Sequence, residues 1–298
     1  MNLPNFLIIG AGKSGTTALY NYLKQHPQIY MSPVKEPKFF ALEDENLTVN
    51  GPGSHLFQPI TNYEEYCRLF QGVTDEIAIG EASTIYLYVP KASERIKHYI
   101  PEVKLVAILR HPVDRAYSSF MHLRRDQREP LADFSLALQE EERRITNNWP
   151  FIWRYKDRGF YYRQLKRYFE LFNKSQIKIY LYEEFNTNPL ITLQDIFKFL
   201  NVDENFVPDI STKYNVSGVP KNQALQSFLT KPNFVKTAFK LFFPDDFRKG
   251  IKDNIAARNF NKPELPLELR REMLEIYRDD ILKLQDLLQR DLSVWLKM

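Results

Sequence analysis

A glycine-rich loop near the N-terminus contains the residue types that bind anionic ligands. It follows an apolar run, Phe6–Ile9, and precedes a predicted helix, Thr16–Gln25. A loop between a strand and a helix N-terminus directs backbone N–H groups and the helix dipole at one point, where a phosphate binds. The loop adds one ammonium group, three hydroxyl groups and glycines that permit close approach. The predicted phosphate-binding residues are Gly12, Lys13, Ser14, Gly15, Thr16 and Thr17.

The spacing of this loop departs from the two common nucleotide-binding patterns. An ATP or GTP loop, Gly-x-x-x-x-Gly-Lys-[Ser/Thr], would need a glycine where Leu7 stands. The dinucleotide pattern Gly-x-Gly-x-x-Gly is not met either, because no acidic residue closes a second strand about 20 residues further on. The alternative to phosphate binding is that the glycine-rich turn has only a structural role.

A second candidate anion-binding residue ends a buried strand. The apolar run Leu105–Leu109 stops at Arg110, and Pro112 then begins a predicted helix. Ligands of doubly wound sheets bind at the C-terminal ends of strands, and an arginine there suits a phosphate because its fork of N–H donors stays charged. A Mg²⁺-dependent NTPase usually has an aspartate at such a position. Ser118 and His122 share one face of the helix that follows.

Both segments resemble motifs of the sulfotransferases that use 3′-phosphoadenosine-5′-phosphosulfate (PAPS). The loop is similar to the 5′-phosphosulfate motif Lys-x-Gly-Thr-[Thr/Ser], and Arg110, Pro112 and Ser118 have the spacing of the 3′-phosphate motif. The resemblance implies that Arg110 and Ser118 hold the 3′-phosphate and that PAPS is the donor, with adenosine-3′,5′-bisphosphate (PAP) as the spent product. Lys13 is then placed to stabilise the charge on the bridging oxygen. No metal ion is expected, because lysine, arginine and backbone donors neutralise the phosphosulfate.

Two residues are candidates for the base that removes a proton from the acceptor. Glu36 stands shortly before the pair Phe39-Phe40, which resembles the position of the catalytic glutamate in the heparan-sulfate class of sulfotransferases. His122 is the second candidate, because a histidine follows the phosphate-binding serine by four residues in part of that class. The sequence departs from the class after Glu81, where Ala82 replaces a lysine. This difference weakens the expectation that the chain shares the specificity of the class for glycosaminoglycan acceptors.

Two further segments resemble parts of the family and add candidate donor-binding residues. Residues 158–165 are similar to the start of a helix with the pattern Gly-x-Tyr-x-x-Gln-Leu, which includes Tyr161. Residues 213–221 resemble a loop that closes over the nucleotide in bacterial members, and Lys221 is its candidate phosphate or phosphosulfate contact.

Apolar runs that alternate with helical patterns predict one α/β domain over residues 1–298, a three-layer, P-loop-like fold. We expect a central, mostly parallel sheet of five or so strands flanked by helices. The predicted strands are Phe6–Ile9, Ile29–Met31, Ile77–Ile79, Leu105–Leu109 and Ile177–Tyr182. The other predicted helices are Tyr63–Phe70, Pro112–Arg125, Leu131–Arg143, Tyr161–Phe172, Pro189–Leu200 and Pro266–Gln289. We expect acceptor-pocket or lid segments within residues 42–60 and 203–262.

The amino-acid composition bears on the cellular location of the protein and on its binding partners. The single cysteine, Cys67, suits a reducing compartment. No apolar run reaches the roughly 20 residues of a membrane span, and no leader pattern is present, so a cytoplasmic protein is expected. The net charge is +4, and residues 231–262 hold eight Lys/Arg against three Asp, interleaved with phenylalanines. This segment suits contact with an anionic or amphiphilic surface, or it is an ordinary helical region at the protein surface. Nucleic-acid binding is not expected, because the excess of basic residues is local and small.

The sequence thus predicts a sulfotransferase that moves a sulfuryl group from PAPS to a hydroxyl or amine, of the heparan-sulfate-like or bacterial branch. Two alternatives are a small-molecule kinase or NTPase with a degenerate loop, and a non-catalytic module that binds a nucleotide or a glycan. The acceptor is left open between a small molecule, a lipid-linked group and a saccharide.

Overall fold

The computed structural model describes residues 2–45, 48–212, 219–220, 260–261 and 263–297. Five strands form one parallel sheet in the order β2-β3-β1-β4-β5. These strands are β1 (Phe6–Gly10), β2 (Ile29–Met31), β3 (Ala78–Ala82), β4 (Lys104–Leu109) and β5 (Ile177–Leu181). A short antiparallel pair, β6 (Val219–Pro220) and β7 (Phe260–Asn261), lies outside this sheet.

Helices connect the strands and cover the sheet. They are α1 (Thr16–Leu23), α2 (Phe39–Leu42), α3 (Tyr63–Arg68), α4 (Pro90–Tyr99), α5 (Pro112–Arg125), α6 (Phe134–Gln139), α7 (Glu141–Thr146), α8 (Tyr161–Leu171), α9 (Tyr182–Thr187), α10 (Pro189–Leu200) and α11 (Leu267–Leu288).

The central strand β1 is buried on both faces, because its side chains enter two separate cores. Phe6 and Ile8 pack with α1, α9 and α10 on one face of the sheet. Leu7 and Ile9 pack with α2, α4, α5, α8 and α11 on the other face. This arrangement follows from the alternation of side chains along a strand, and strands covered on both faces are typical of parallel sheets. The predicted three-layer α/β fold is confirmed.

The strand order decides where the loops meet. β1 lies between β3 and β4, with Phe6 beside Gly80 on one neighbour and beside Lys104 on the other. Since all five strands are parallel, their C-terminal ends lie along the same edge of the sheet. The segments that follow β1, β2, β3, β4 and β5 therefore face one region of the molecule.

The predicted strands agree with the structure to within a few residues, and so do most of the predicted helices. Asn188 caps α10 by accepting a hydrogen bond from the Ile191 N–H, as its residue type and the following Pro189 indicate. The predicted helix Leu131–Arg143 is wrong as a single element. Asp133 accepts hydrogen bonds from the Ser135 and Leu136 N–H groups, so the helix begins at Phe134. A break at Glu140 separates α6 from α7.

Among the described residues, three helices were not predicted from the sequence: α2, α4 and α9. The segment 42–60 lacks long elements, as expected, apart from a 3₁₀ turn at Ser54–Leu56. Lys221 and most of the predicted lid segment 203–262 lie outside the described residues.

The C-terminal helix α11 is joined to the elements that carry the site. The Tyr277 hydroxyl donates a hydrogen bond to the Lys156 carbonyl at 2.8 Å. Arg270 forms an ion pair with Asp114 at 2.8 Å, at the start of α5. These contacts make α11 part of the support for the loops described below. No helix in the described part of the chain is long and apolar enough to span a bilayer.

Gly80 is a position where the sheet tolerates no side chain. A Cβ at Gly80 would lie 2.1 Å from Cζ of Phe6 on the neighbouring strand. We predict that Gly80→Ala lowers the free energy of unfolding by about 1–3 kcal/mol, as overpacking of a core does. Thermal unfolding of the two proteins measures the difference.

The matched control is Gly72→Ala, which lies in an exposed turn where the nearest atom to a new Cβ is the Tyr30 hydroxyl at 3.2 Å. An unchanged melting temperature for Gly80→Ala, or an equal loss in both variants, would contradict the close packing of β3 on β1.

Candidate active site

One cavity of about 300 Å³ lies at the C-terminal edge of the sheet. Each of the five strands is followed by a segment that lines it. Most of the predicted site residues line this cavity, namely Gly12, Lys13, Gly15, Thr16, Thr17, Glu36, Arg110, Ser118 and His122. Residues that are about 100 positions apart in the sequence are thus brought together by the parallel pairing.

The glycine-rich loop turns sharply between β1 and α1. Lys13 has a φ of 71° and Gly15 a φ of 87°, both in the left-handed region. A side chain at Gly15 would also lie 3.2 Å from the ring of Phe185. Gly15 caps α1 without a side-chain hydrogen bond, so the first amides of α1 have no side-chain acceptor in the described structure. The loop therefore presents the backbone donors that an anion needs.

Ser14 is the one loop residue predicted to bind phosphate that does not line the cavity. It is fully buried, and its hydroxyl has no hydrogen-bond partner among the described residues. Its role as a direct ligand stays a prediction.

Lys13 lies in a positively charged and buried environment. Burial lowers the pKa of Lys13 to about 8, and the charges of Arg125, Arg110 and Lys35 act in the same direction, against a smaller opposing effect of Asp126. The ammonium group is therefore charged at neutral pH but loses its proton more easily than an ordinary lysine. A bound anion would reverse this effect, which is the expected behaviour of an anion-binding lysine.

Arg110 connects the end of β4 to the glycine-rich loop. Its guanidinium donates a hydrogen bond to the Lys13 carbonyl at 3.1 Å, and its Cζ lies 4.6 Å from the ring centroid of Tyr182. The Tyr161 hydroxyl donates to the Arg110 carbonyl at 3.0 Å. Tyr161 is buried and does not line the cavity, so the structure places it behind Arg110, and its predicted contact with the donor stays a prediction.

Glu36 projects into the cavity from the segment after β2. Its Oε1 accepts a hydrogen bond from the Thr84 hydroxyl at 3.0 Å and pairs with Nζ of Lys35 at 3.2 Å. Burial by itself would raise the pKa of the Glu36 carboxyl. The charges of Lys35 and Lys38 and the two hydrogen bonds outweigh burial and hold that pKa below its usual value. Glu36 is therefore an anionic proton acceptor at neutral pH.

The segment around Glu36 is anchored on both sides. The Glu36 N–H donates to the Ala82 carbonyl at 2.9 Å, which extends the contact between β2 and β3. Phe39 and Phe40 are fully buried in the core under this segment. The phenylalanine pair therefore packs beside the sheet, as the sequence indicates.

His122 lies one helical turn after Ser118 and is held by its neighbours. Nη2 of Arg125 donates to Nδ1 of His122 at 2.8 Å, and Nε2 lies 3.6 Å from Asp126. Burial lowers the pKa of His122 to about 3, and the charge of Lys13 acts in the same direction. The imidazole is therefore neutral and is a weak base. Both Glu36 and His122 line the cavity, so their predicted roles as the base stay predictions.

Sequence reasoning missed several residues that line the cavity. Thr84 and Tyr182 follow β3 and β5, and their positions at strand ends are the signal that could have identified them. Arg128 also lines the cavity and pairs with Asp126 at 2.9 Å. Glu81 is buried under the site, where burial raises its pKa to about 7, and it does not line the cavity.

An apolar wall completes the cavity, and it comes from two loops. Pro52, Leu56 and Phe57 belong to the segment 42–60, which the sequence singled out, and Phe151 and Ile152 belong to a turn before α8. Nζ of Lys38 lies 5.5 Å from the ring centroid of Phe57, where the wall meets the charged part of the site.

Comparison with known proteins gives consistent results. The profile described as "Sulfotransferase family" matches residues 4–206. The bifunctional heparan sulfate N-deacetylase/N-sulfotransferase 4 of Mus musculus is 31% identical over 211 residues, which are 69% of this chain and 23% of the relative. Carbohydrate sulfotransferase 15 of Mus musculus is 25% identical over 249 residues, 67% of this chain and 44% of the relative. The chain thus spans about a quarter to a half of the length of these curated relatives.

A solved structure is similar over the whole chain. It is a sulfotransferase from Alicyclobacillus acidocaldarius, with a TM-score of 0.79, 35% sequence identity and coverage of 100% of both chains. Neither the kinase or NTPase alternative nor the non-catalytic module is favoured by these similarities. The prediction made from the two motifs is confirmed: the chain belongs to the sulfotransferase family.

Proposed function

We propose that this protein transfers a sulfuryl group from PAPS to a hydroxyl or amine of an acceptor, by in-line transfer that needs no metal ion. The observation that carries this proposal is the convergence of Lys13, Arg110 and Glu36 on one cavity. Two cations and a backbone cradle suit the anionic donor, and a carboxylate that is ionised at neutral pH is in the form that accepts the acceptor proton.

The residues of the cavity fit the donor in two places. The glycine-rich loop, with Lys13 and the first amides of α1, suits the phosphosulfate, and Arg110 with Ser118 suits the 3′-phosphate. When bound, PAPS supplies the sulfuryl group and carries PAP as the leaving group. Lys13 stabilises the charge that develops on the leaving oxygen, and Glu36 takes the proton of the acceptor.

We further propose that the acceptor binds between Glu36 and the apolar wall of Leu56, Phe57 and Phe151. The names of the relatives, a heparan sulfate N-sulfotransferase and a carbohydrate sulfotransferase, support a saccharide acceptor. We propose a single domain over residues 1–298, supported by the contacts of α11 with α5 and with residue 156. The single cysteine supports a cytoplasmic location.

The donor is tested by binding of PAP, measured by calorimetry in EDTA, beside ATP with Mg²⁺. We expect PAP to bind and the Arg110→Ala variant to lose affinity by about 10-fold or more, the size expected for hydrogen bonds to a charged group. Binding of ATP with Mg²⁺ but not of PAP would contradict the proposed donor.

The base is tested by the Glu36→Gln variant. We expect turnover to fall by about 10²–10⁴-fold, the typical contribution of general base catalysis, while PAP affinity stays within about threefold of the wild type. The matched comparison is His122→Gln, which we expect to lose less turnover. If Glu36→Gln kept wild-type turnover and His122→Gln did not, the base would be His122.

The lowered pKa of Lys13 predicts a pH dependence. Lysine binds an anion as the cation, so kcat/KM for PAPS should fall as the pH rises through about 8. Lys13→Ala should abolish turnover, and Lys13→Arg should remove this alkaline decline because arginine does not titrate in that range. A rate profile of Lys13→Arg that still declines through pH 8 would assign the decline to another group.

A further inference from the structure

Arg158 lies where the glycine-rich loop meets the segments that carry the base. A Cβ placed on Gly12 would lie 2.7 Å from Nη2 of Arg158 and 3.4 Å from Oγ1 of Thr84. Thr84 in turn donates a hydrogen bond to Glu36. Arg158, Gly12, Thr84 and Glu36 all line the cavity. The guanidinium of Arg158 is thus positioned between Glu36 and the loop that precedes Lys13.

The other side-chain cations on this side of the cavity already have acceptors. Lys35 pairs with the Glu36 carboxylate, Lys38 donates to the Glu36 carbonyl at 3.0 Å, and Arg128 pairs with Asp126. The guanidinium of Arg158 forms no ion pair or hydrogen bond with any residue of the described ranges. Burial and the charge of Arg115 lower the pKa of Arg158 to about 10, so it is still a cation at neutral pH.

The backbone that precedes Arg158 is fixed by buried polar groups. Arg115, which is 1% exposed, donates to the Tyr155 carbonyl. Glu141, also 1% exposed, accepts from the Lys156 N–H at 2.6 Å and from the Asp157 N–H at 2.8 Å. Burying charged groups is costly, and here their hydrogen bonds are used to hold a short loop in one conformation.

The residue after Arg158 is fixed as well. A Cβ on Gly159 would lie 2.7 Å from the ring of Tyr277, whose hydroxyl donates to the Lys156 carbonyl. The loop 155–159 is therefore held in position by side chains of α5, α7 and α11. A cation held this rigidly, without an acceptor and at the cavity wall, has the properties of a group that is preorganised for an anionic ligand.

The end of β3 supplies no cation to the cavity. Ala82, Ser83 and Thr84 follow Glu81 there, and none of them carries a charge. Lys13 approaches the reacting centre from the side of the loop and α1. A sulfuryl group in transfer spreads negative charge over three oxygens, and a single lysine contacts only part of that charge.

We propose that Arg158 is a further catalytic residue, whose guanidinium donates hydrogen bonds to the oxygens of the sulfuryl group during its transfer. This inference rests on the proposed function. In the step, the acceptor oxygen or nitrogen forms a bond to sulfur with its own electron pair, and its proton passes to the Glu36 carboxylate. The bond between sulfur and the bridging oxygen breaks, and its electron pair leaves with PAP. Arg158 forms no covalent bond and gives up no proton.

The test compares Arg158→Gln and Arg158→Lys with the wild type in three measurements: PAP affinity, PAPS affinity without acceptor, and turnover. The matched control is Arg163→Gln, an exposed arginine of α8 that pairs with Asp157 and does not line the cavity. Melting temperatures establish that each variant is folded.

We expect PAP affinity to change by less than about threefold in Arg158→Gln, because PAP lacks the sulfuryl group. PAPS affinity should fall by about 10-fold and turnover by about 10²–10³-fold, as when one donor of an oxyanion hole is removed. Arg158→Lys should retain the charge and recover part of both losses. The control Arg163→Gln should keep wild-type values.

Three results would overturn the proposal. Equal losses of PAP and PAPS affinity would show that Arg158 contacts a phosphate, and a raised KM for the acceptor alone would show that it contacts the acceptor. If a folded Arg158→Gln variant kept the wild-type affinities and turnover, Arg158 would have no role in the transfer. Failure of the proposed function is distinguishable, because then the wild type itself would bind no PAP and Lys13→Ala would have no effect on any measured turnover.

Discussion

The parallel pairing of β1 with β3 and β4 is the constraint on which the rest of the site depends. It requires close contact between strands, since the ring of Phe6 occupies the space over Gly80 where a side chain would otherwise lie. Once β1 is central, the turn after it opens between the turns after its two neighbours. Lys13, Thr84 and Arg110 therefore meet because of strand order.

The C-terminal edge of the sheet carries an excess of positive charge around Lys13. Lys13 is buried close to Arg125 and Arg110, and its pKa is lowered first by burial and then by these two charges. Asp126 offsets part of the positive charge through its pairs with Arg125 and Arg128. An anionic donor would neutralise the positive charge that remains. Its binding would therefore relieve the repulsion between these cations.

A second set of polar groups lies below the cavity and positions its wall. Arg144 and Glu129 form a buried bidentate pair at 2.8 and 2.9 Å, and the Tyr155 hydroxyl donates to the same carboxylate at 2.6 Å. Arg115 and Glu141 then hold the next residues of the chain. Because every removed partner would leave a buried charge, these contacts favour one conformation of the loop that carries Arg158.

The sequence by itself predicted the five strands of the sheet and most of the helices, and it singled out the residue types that could bind an anion. Local patterns suffice for this, because a short apolar run predicts a strand, and the residue types that follow it, Gly12-Lys13 or Arg110, suit an anionic ligand. The position of Glu36 before two buried phenylalanines was also visible. The sequence could not describe the surroundings of Glu36 and His122, since these depend on the burial of His122 beside Lys13 and on the contact of Glu36 with Thr84.

Only the tertiary structure decided which other residues complete the site. Thr84 and Tyr182 reach the cavity through strand order, which the sequence does not specify, and Arg128 and Arg158 reach it from segments between the strands. The start of α6 depends on the Asp133 cap, and neither that start nor the break at Glu140 between α6 and α7 is visible in the hydrophobic pattern of Leu131–Arg143. The physical reason is the same in each case: a motif encodes local conformation and chemical type, whereas burial, pairing and the unpaired state of a cation arise from segments far apart in the chain.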